Sequence, residues 1–320
     1  MLSVTFLGTG AACPTVQRNV AALALSREGE TLLFDCGEGT QRQMMRYGVG
    51  FTFSELYVTH YHADHILGIP GLLRTLGLQD RNTPVTLYGP RGAQRVLGAC
   101  VTLGMDRPKF PVEIVELKPG DVLRRAEYDV HVLGVDHRAD ALGFALVEHE
   151  RLGRFNPDRA RALGIPEGPL WGKIHKGQSV SLPDGRTISP NDLVGPTRAG
   201  RRVVLSGDTR PCDAVRNAAR GADLLVHEAT FGADEAARAV ETGHSTALEA
   251  ALLAREAGVR QLALTHISAR YTREAPELLT EAAEVFPHVV VAKDGLMIDV
   301  PFADAEEEGA TGAAGAMEAK

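Results

Sequence analysis

Apolar residues along the chain fall into short runs closed by glycine, proline or polar clusters, a pattern of strands interleaved with helices. Leu2–Leu7 predicts a first strand, and Val20–Ser26 with Thr31–Phe34 predicts a hairpin pair around Arg27-Glu28-Gly29-Glu30. Leu56–Val58, Val85–Tyr88, Val112–Val115 and Val130–Val135 continue the series, with a helix over Ile69–Leu76 and another from Arg91 to Leu103. Further on, Arg202–Ser206, Asp223–Val226 and Gln261–Thr265 read as buried strands. Between them Ala247–Ala257 reads as a helix opened by Ser245 or Thr246 as N-cap. Val289–Ala292 and Met297–Val300 are expected to close a second sheet.

The strands matter for what they deliver at their carboxyl ends. Leu56–Val58 runs into Thr59-His60-Tyr61-His62-Ala63-Asp64-His65. In extended chain residues two apart share a face, so His60 and His62 point one way, while Asp64 and His65 fall on the following turn. Imidazole nitrogen and carboxylate oxygen without thiolate suit zinc, and manganese or iron fit the same donors. Four ligands within six residues would crowd one ion, and two adjacent ions relieve the crowding. A polar surface loop is the bland alternative, but the setting of strand followed by turn favours a metal site. His137 ends another strand and is assigned with His60 and His62 to the first metal. Asp208 follows Arg202–Ser206 directly, and one oxygen to each ion makes it the expected bridging ligand. Asp35, also at a strand end, is read as a carboxylate that orients ligand histidines rather than as a ligand. His131, His149, His175 and His288 lack such placement and are read as surface or packing residues. Gly8-Thr9-Gly10 lacks the third glycine and the helix of a dinucleotide fingerprint.

Composition narrows the class. In 320 residues, 44% are apolar, enough for a sizeable core in one large domain or two ordinary ones. No apolar run reaches membrane-spanning length, and no basic leader precedes Leu2, so a cytoplasmic protein with no membrane partner is expected. Cys13, Cys36, Cys100 and Cys212 are scattered with no CxxC pair, which favours reduced thiols.

Net charge is −7, which on its own speaks against a nucleic-acid partner, but the charge is unevenly spread. Residues 151–202 hold ten Lys and Arg against four acids, a net +6, leaving −13 for the rest. Glycine and proline punctuate the same segment, with only Pro157–Leu163 as a helix candidate, so it reads as a protrusion. Leu163, Ile165, Leu170, Trp171 and Ile174 give it packing groups that a plain linker lacks. After Phe302 five acids face one lysine, and residues 303–320 are expected to be a disordered acidic tail.

The His-x-His-x-Asp-His cluster resembles the signature of the metallo-β-lactamase superfamily. Strand-to-loop histidines and aspartates in both halves, with helices between, then imply an α/β (α+β) four-layer αββα sandwich with metals at one edge of its sheets. Within the superfamily the likeness to tRNase Z (ribonuclease Z, the tRNA 3′-processing endoribonuclease) spans residues 1 to about 302. It rests on Phe6-Leu7-Gly8-Thr9-Gly10, Arg18-Asn19, Phe34–Gln41, the metal cluster, Ser206-Gly207-Asp208-Thr209, His227-Glu228-Ala229-Thr230 and Gly243-His244-Ser245-Thr246. Gly164-Ile165-Pro166, Gly168-Pro169-Leu170, Gly172-Lys173 and Val194-Gly195-Pro196 look like the flexible arm with which that family holds the tRNA body. Ala63 stands where the family usually has glycine, and a small local adjustment is expected there.

That resemblance implies two Zn2+ per subunit, with His60, His62 and His137 on one, Asp64, His65 and His266 on the other, and Asp208 between them. It implies Asp64 as proton acceptor at the nucleophile, and Glu228 with His244 as the group that protonates the leaving 3′ oxygen. It further implies a metallo-β-lactamase-fold domain over residues 1–302 and an RNA-binding arm over 151–202, with Arg154, Lys173, Lys176 and Arg198 as candidate contacts. Precursor tRNA is then the substrate and a homodimer the working form. The trailer would be removed to leave a 3′-hydroxyl on the tRNA and a 5′-phosphate on the trailer. Two other classes compete: a hydrolase of small phosphodiesters or esters, which gains nothing from a +6 protrusion, and a non-catalytic RNA-binding subunit, which has no use for seven ligands.

Overall fold

Leu2–Gly8 is buried along its whole length, as expected for a strand covered on both faces. It stands second in a seven-stranded sheet that runs Met297–Asp299, Leu2–Gly8, Ala22–Arg27, Glu30–Phe34, Glu55–Tyr57, Val85–Gly89, Val112–Glu116. A second seven-stranded sheet runs Val289–Val291, Gln261–Thr265, Leu224–Glu228, Arg202–Leu205, Leu142–Glu148, Tyr128–Gly134, Val122–Arg124. This computed structural model describes residues 1–105, 107–271 and 273–303, so the expected acidic tail lies, beyond Ala303, outside the described residues.

The two sheets meet face to face on aromatic side chains. Phe144 of the second sheet packs against Phe34 and Tyr57 of the first at ring separations of 5.5 and 5.4 Å, within the range of favourable aromatic pairing. Helices cover the outer faces. Ile69–Leu78 and Ala93–Thr102 bury Leu72, Leu73, Leu76 and Leu97 against Leu33, Leu56, Val85 and Leu87. Ala247–Ala257 and Pro276–Val285 pack on the second sheet. The first of these is closed at its start by a capping box between Thr246 and Glu249 and at its end by Gly258 at φ 66°. The result is the expected αββα layering.

Arg202–Leu205, Leu224–Glu228 and Gln261–Thr265 are parallel neighbours, so their carboxyl ends lie side by side, as do the ligand-bearing ends of open parallel sheets generally. Glu30–Phe34 and Glu55–Tyr57 do the same in the first sheet.

Three expectations change. Met297–Asp299 belongs to the first sheet, antiparallel to Leu2–Gly8 with Ser3 opposite Asp299, and not to the second. The apolar run marks a strand but carries no information on its partner; a turn with Gly295 at φ 85° swings the chain across. Asp64 and His65 lie in a one-turn helix, Ala63–Ile66, rather than a bare turn. The third change concerns the basic segment.

Residues 126–128 and 147–200 form a compact unit distinct from the rest of the chain. Besides the helix Pro157–Ala162, it contains a second, Pro169–His175, and a two-stranded ribbon of Val180–Ser181 and Thr187–Ile188. Ala160, Ile165, Ile174, Val180, Leu182, Ile188 and Leu193 make a small core of its own. Its chain ends are brought together by bridges between Arg151 and Arg198 and between Phe155 and Val194.

Candidate active site

The residues expected to carry chemistry in the larger unit converge. His60, His62, His137 and Asp208 present ligand atoms within 4.8 Å of one another, and so do Asp64, His65 and His266. Asp208 Oδ2 is central, 3.7 Å from His60 Nε2, 3.4 Å from His65 Nε2 and 3.3 Å from His266 Nε2. Asp64 Oδ2 lies 3.5 Å from His65 Nε2 and 3.4 Å from His266 Nε2.

Hydrogen bonds behind the rings set which nitrogen faces inward. Asp35 Oδ2 accepts from His65 Nδ1 at 2.8 Å, and the same carboxylate accepts from the Thr59 backbone and hydroxyl. With its proton committed to Asp35, the Thr59 oxygen accepts from His60 Nδ1 at 3.1 Å. Thr230 repeats the device: its hydroxyl donates to Glu228 at 2.9 Å and accepts from His266 Nδ1 at 2.9 Å. His137 Nδ1 donates to the Gly243 carbonyl at 2.8 Å. Each of these rings therefore aims a bare Nε2 at the cluster, while His62 offers Nδ1.

This arrangement fits a metal on the residues' own terms. His60 Nε2 and His62 Nδ1 stand 2.8 Å apart, close enough for both rings to turn a nitrogen lone pair to one ion. His65 Nε2 is buried with no hydrogen-bond partner, a costly state unless an ion binds it. Burial disfavours charge on His65, yet Asp208 and Asp35 outweigh it and lift its imidazole well above the ordinary value, so the carboxylates draw positive charge to this point. Burial, with the neighbouring His65, pushes His60 well below its ordinary value, so it stays neutral as a ligand must be. The fold and this His/Asp cluster thus point to metal binding.

The backbone is held in unusual conformations around the cluster. Asp35 at φ 57° and His266 at φ 55° are non-glycine residues in the left-handed region, each at a cost of about 1–2 kcal/mol. Both immediately follow buried strands, where the reversed φ turns the side chain into the cleft. Gly37 and Gly68 make the opposite contribution. A Cβ on Gly37 would collide with the Asp64 carbonyl, and one on Gly68 with the Gly37 carbonyl, so the Phe34–Thr40 loop lies directly against the turn that carries Asp64 and His65.

Beside the cluster sits a histidine–carboxylate pair. His244 Nδ1 is 2.8 Å from Glu228 Oε1 and 3.9 Å from Asp208. Burial alone would depress the His244 imidazole, but the hydrogen bond and charge of Glu228 lift it to about 9. Glu228 is fully buried and accepts from Thr209 N, Thr230 N and the Thr230 hydroxyl as well. Arg210 donates to the His244 carbonyl and to both oxygens of Glu249, while its amide donates to Asp136 O. The loop of Asp208, the loop of His137 and the loop of His244 are thereby tied together.

Nothing in the sequence singles out Thr59, Thr230 and Arg210: their types are common, and only the fold brings them to the rings. Asp35 braces His65 as expected. Of the arm candidates, Arg154, Lys173 and Lys176 are exposed on the smaller unit, whereas Arg198 is half-buried and donates to the Leu152 carbonyl.

Comparison with known proteins places the chain. A model described as anti-Pycsar protein Apyc1 matches residues 2–117, and one described as beta-lactamase superfamily domain matches residues 184–267. Ribonuclease Z of Gemmatimonas aurantiaca is 58% identical over 305 residues, 95% of this chain and 97% of that protein. Ribonuclease Z of Myxococcus xanthus is 57% identical over 95% of this chain and 99% of its own, and that of Haloferax volcanii 50% over 97% and 98%. Among solved structures, the short form of human tRNase Z superposes with a TM-score of 0.69 at 28% identity, covering 94% of this chain and all of that one. A diphosphatase of the PhnP family, at 18% identity and a TM-score of 0.60, shares the fold alone.

Proposed function

The chain belongs to the ribonuclease Z family, the endoribonucleases that process the 3′ ends of transfer RNA precursors, and from that premise we propose how its residues divide the work. The observation that carries the reading is near-full-length identity to ribonuclease Z relatives combined with the convergence of seven His and Asp side chains. We assign His60, His62 and His137 to one zinc ion, Asp64, His65 and His266 to a second, and Asp208 to both. When bound, the ions supply Lewis-acid chemistry, making water more acidic at neutral pH and drawing charge off the phosphate.

The chain's own groups do the rest. Asp64, held by the Ala12 amide at 2.8 Å, accepts the proton of the attacking water. His244, with Nδ1 committed to Glu228, uses its other ring nitrogen to protonate the departing 3′ oxygen of the tRNA. Glu228 orients that ring and favours its charged form; three further donors hold the carboxylate in place. The products are a tRNA with a 3′-hydroxyl and a trailer with a 5′-phosphate. Arg154, Lys173, Lys176 and Arg198 of the smaller unit contact phosphates of the tRNA body. The enzyme works as a homodimer in the cytoplasm; no helix among the described residues is long and apolar enough to cross a membrane.

The test is to incubate the zinc-loaded protein with a trailer-bearing precursor tRNA and map both new ends. A 3′-hydroxyl on the tRNA and a 5′-phosphate on the trailer are expected. A 2′,3′-cyclic phosphate, or no cut near the trailer junction, would overturn the assignment. Sedimentation at micromolar concentration checks the dimer.

A further inference from the structure

Outside the metal cluster, the larger unit carries a second concavity, a groove of about 730 Å³ lined among others by Thr15, Asn19, Arg42, Arg46, Tyr47 and Arg273. Arg42, Arg46 and Arg273 are exposed. The carboxylates nearby are already spent. Asp294, on the groove wall, accepts from Thr9 N, the Thr9 hydroxyl, Asn19 N and Gln43 Nε2. Glu274, next to Arg273, pairs with Lys293. Among the described residues no ion pair is made by these three guanidinium groups, which line the groove beside the exposed side chain of Met45 and the half-buried ring of Tyr47, with the Arg46 guanidinium 5.5 Å from that ring's centre. Cations that track a backbone, next to an aromatic face on which a base can stack, are the two elements of a single-strand nucleic-acid site.

The groove adjoins the reaction centre through a short, hydrogen-bonded wall. Ala12 donates to Asp64, and Thr15, three residues on, already lines the groove, a span of at most ~11 Å of chain. The wall is anchored from behind by Arg18, 3% exposed, which donates to the Thr9 hydroxyl and to the carbonyls of Ala292 and Arg273. At its base, Ile267 and Ser268, next to His266, pair with Gly10 and Ala11. A strand leaving the cluster on the Asp64 side meets the groove within about one or two nucleotides. His244 stands against His137 and His266, at ring separations of 5.1 and 5.2 Å.

We infer that this groove binds the first nucleotides of the 3′ trailer, its arginines taking trailer phosphates and Tyr47 stacking on a base. The inference rests on the reading that the tRNA 3′ oxygen departs at His244 and water attacks at Asp64: the phosphate, with the trailer still on its 5′ oxygen, then lies between the two, and the Ala12–Thr15 wall leads from there to the groove. A volume of 730 Å³ is that of a small-ligand pocket and takes a nucleotide or two, not a double helix.

The experiment measures binding of the zinc-loaded, full-length protein to mature tRNA and to precursors with trailers of one, three and six nucleotides. Each precursor carries a methylene in place of the bridging 3′ oxygen at the scissile phosphate, so it is not cut. Wild type is expected to bind more tightly, and with a steeper salt dependence, as the trailer lengthens from one nucleotide to three. The variant Arg42→Ala/Arg46→Ala/Arg273→Ala should lose this gain. Its slope of log K against log salt on the three-nucleotide precursor should be shallower by about 2, from three single-strand phosphate contacts at about 0.7 each. Its affinity for mature tRNA should match wild type. The three side chains are exposed, and an unchanged melting temperature checks that the fold is intact. Equal loss on mature tRNA would place the tRNA body in the groove and overturn the inference, as would a gain with trailer length that survives in the variant. Failure of the underlying reading shows separately, as wild type that does not cleave an ordinary precursor.

Discussion

Replacing His244 by alanine should separate proton donation from metal chemistry. The structural cost is modest. Glu228 loses the His244 hydrogen bond but keeps Thr209 N at 3.0 Å, Thr230 N at 3.1 Å and the Thr230 hydroxyl at 2.9 Å, so the change removes one charge-assisted bond of about 2 kcal/mol. In a domain of this size that lowers the melting temperature by roughly 4–8 °C, and the protein remains folded at assay temperature. The catalytic cost is larger. A sugar 3′ oxygen leaves poorly as an anion at neutral pH, so loss of a positioned acid should slow precursor tRNA cleavage by about 10²–10⁴-fold. Nitrophenolate leaves without a proton, so hydrolysis of bis(p-nitrophenyl) phosphate should stay within a few fold of wild type. Turnover on both substrates, at matched zinc content, is the assay. Equal loss on the two would refute a role in leaving-group protonation and point instead to disturbance of Asp208, 3.9 Å away.

Three further outcomes follow from the same geometry. Asp208→Ala removes the carboxylate shared by His60, His65 and His266; it should release at least one metal ion per chain, read by elemental analysis, and abolish hydrolysis of both substrates, and a full metal complement would sink the bridging role. Gly37→Ala forces a methyl group into the Asp64 carbonyl and the Val20 side chain; zinc affinity should fall by an order of magnitude or more, measured by competition with a chelator, and unchanged affinity would mean that the loop yields freely. Replacing about Arg154–Thr197 with a short Gly-Ser turn joins chain ends already bridged at Arg151 and Arg198; tRNA binding should weaken by orders of magnitude with a salt slope shallower by about 3, while bis(p-nitrophenyl) phosphate hydrolysis stays near wild type, and tRNA affinity with an unaltered salt slope would remove the arm from the binding account.

Local signals made most strands readable, and with them the residues at their ends. An apolar run stopping at Gly207-Asp208 or at His266 marks both a strand and a side chain delivered to its tip. What escapes such reading is pairing at a distance. Met297–Asp299 has a strand's composition, but its neighbour is Leu2–Gly8, almost the whole chain away. The helix Pro169–His175 was hidden by the glycines and proline within and before it, although proline at a first helical turn is compatible with helix. In the site, ligand types announce themselves, whereas Thr59, Thr230 and Arg210 are ordinary residues whose importance comes from what lies opposite. In the sequence Arg18 and Asn19 stand out only as part of a family pattern. Their work is to hold the Thr9–Asn19 wall against Asp294 and the Ala292 and Arg273 carbonyls, through contacts that span more than 250 residues.

The candidate ligands come from His60–His65, which follow the first-sheet strand Glu55–Tyr57, and from His137, Asp208 and His266 around the second sheet, so the centre is complete only when both sheets are in place. No fragment short of nearly the whole larger unit contains a complete set, so tight metal capture must wait until the two sheets have docked. Metal that binds the native state alone then acts as a thermodynamic latch, adding about 4 kcal/mol of global stability when free ion exceeds its dissociation constant a thousandfold. Chelation should therefore lower the unfolding temperature of the entire sandwich rather than loosen only the loops that touch the ions.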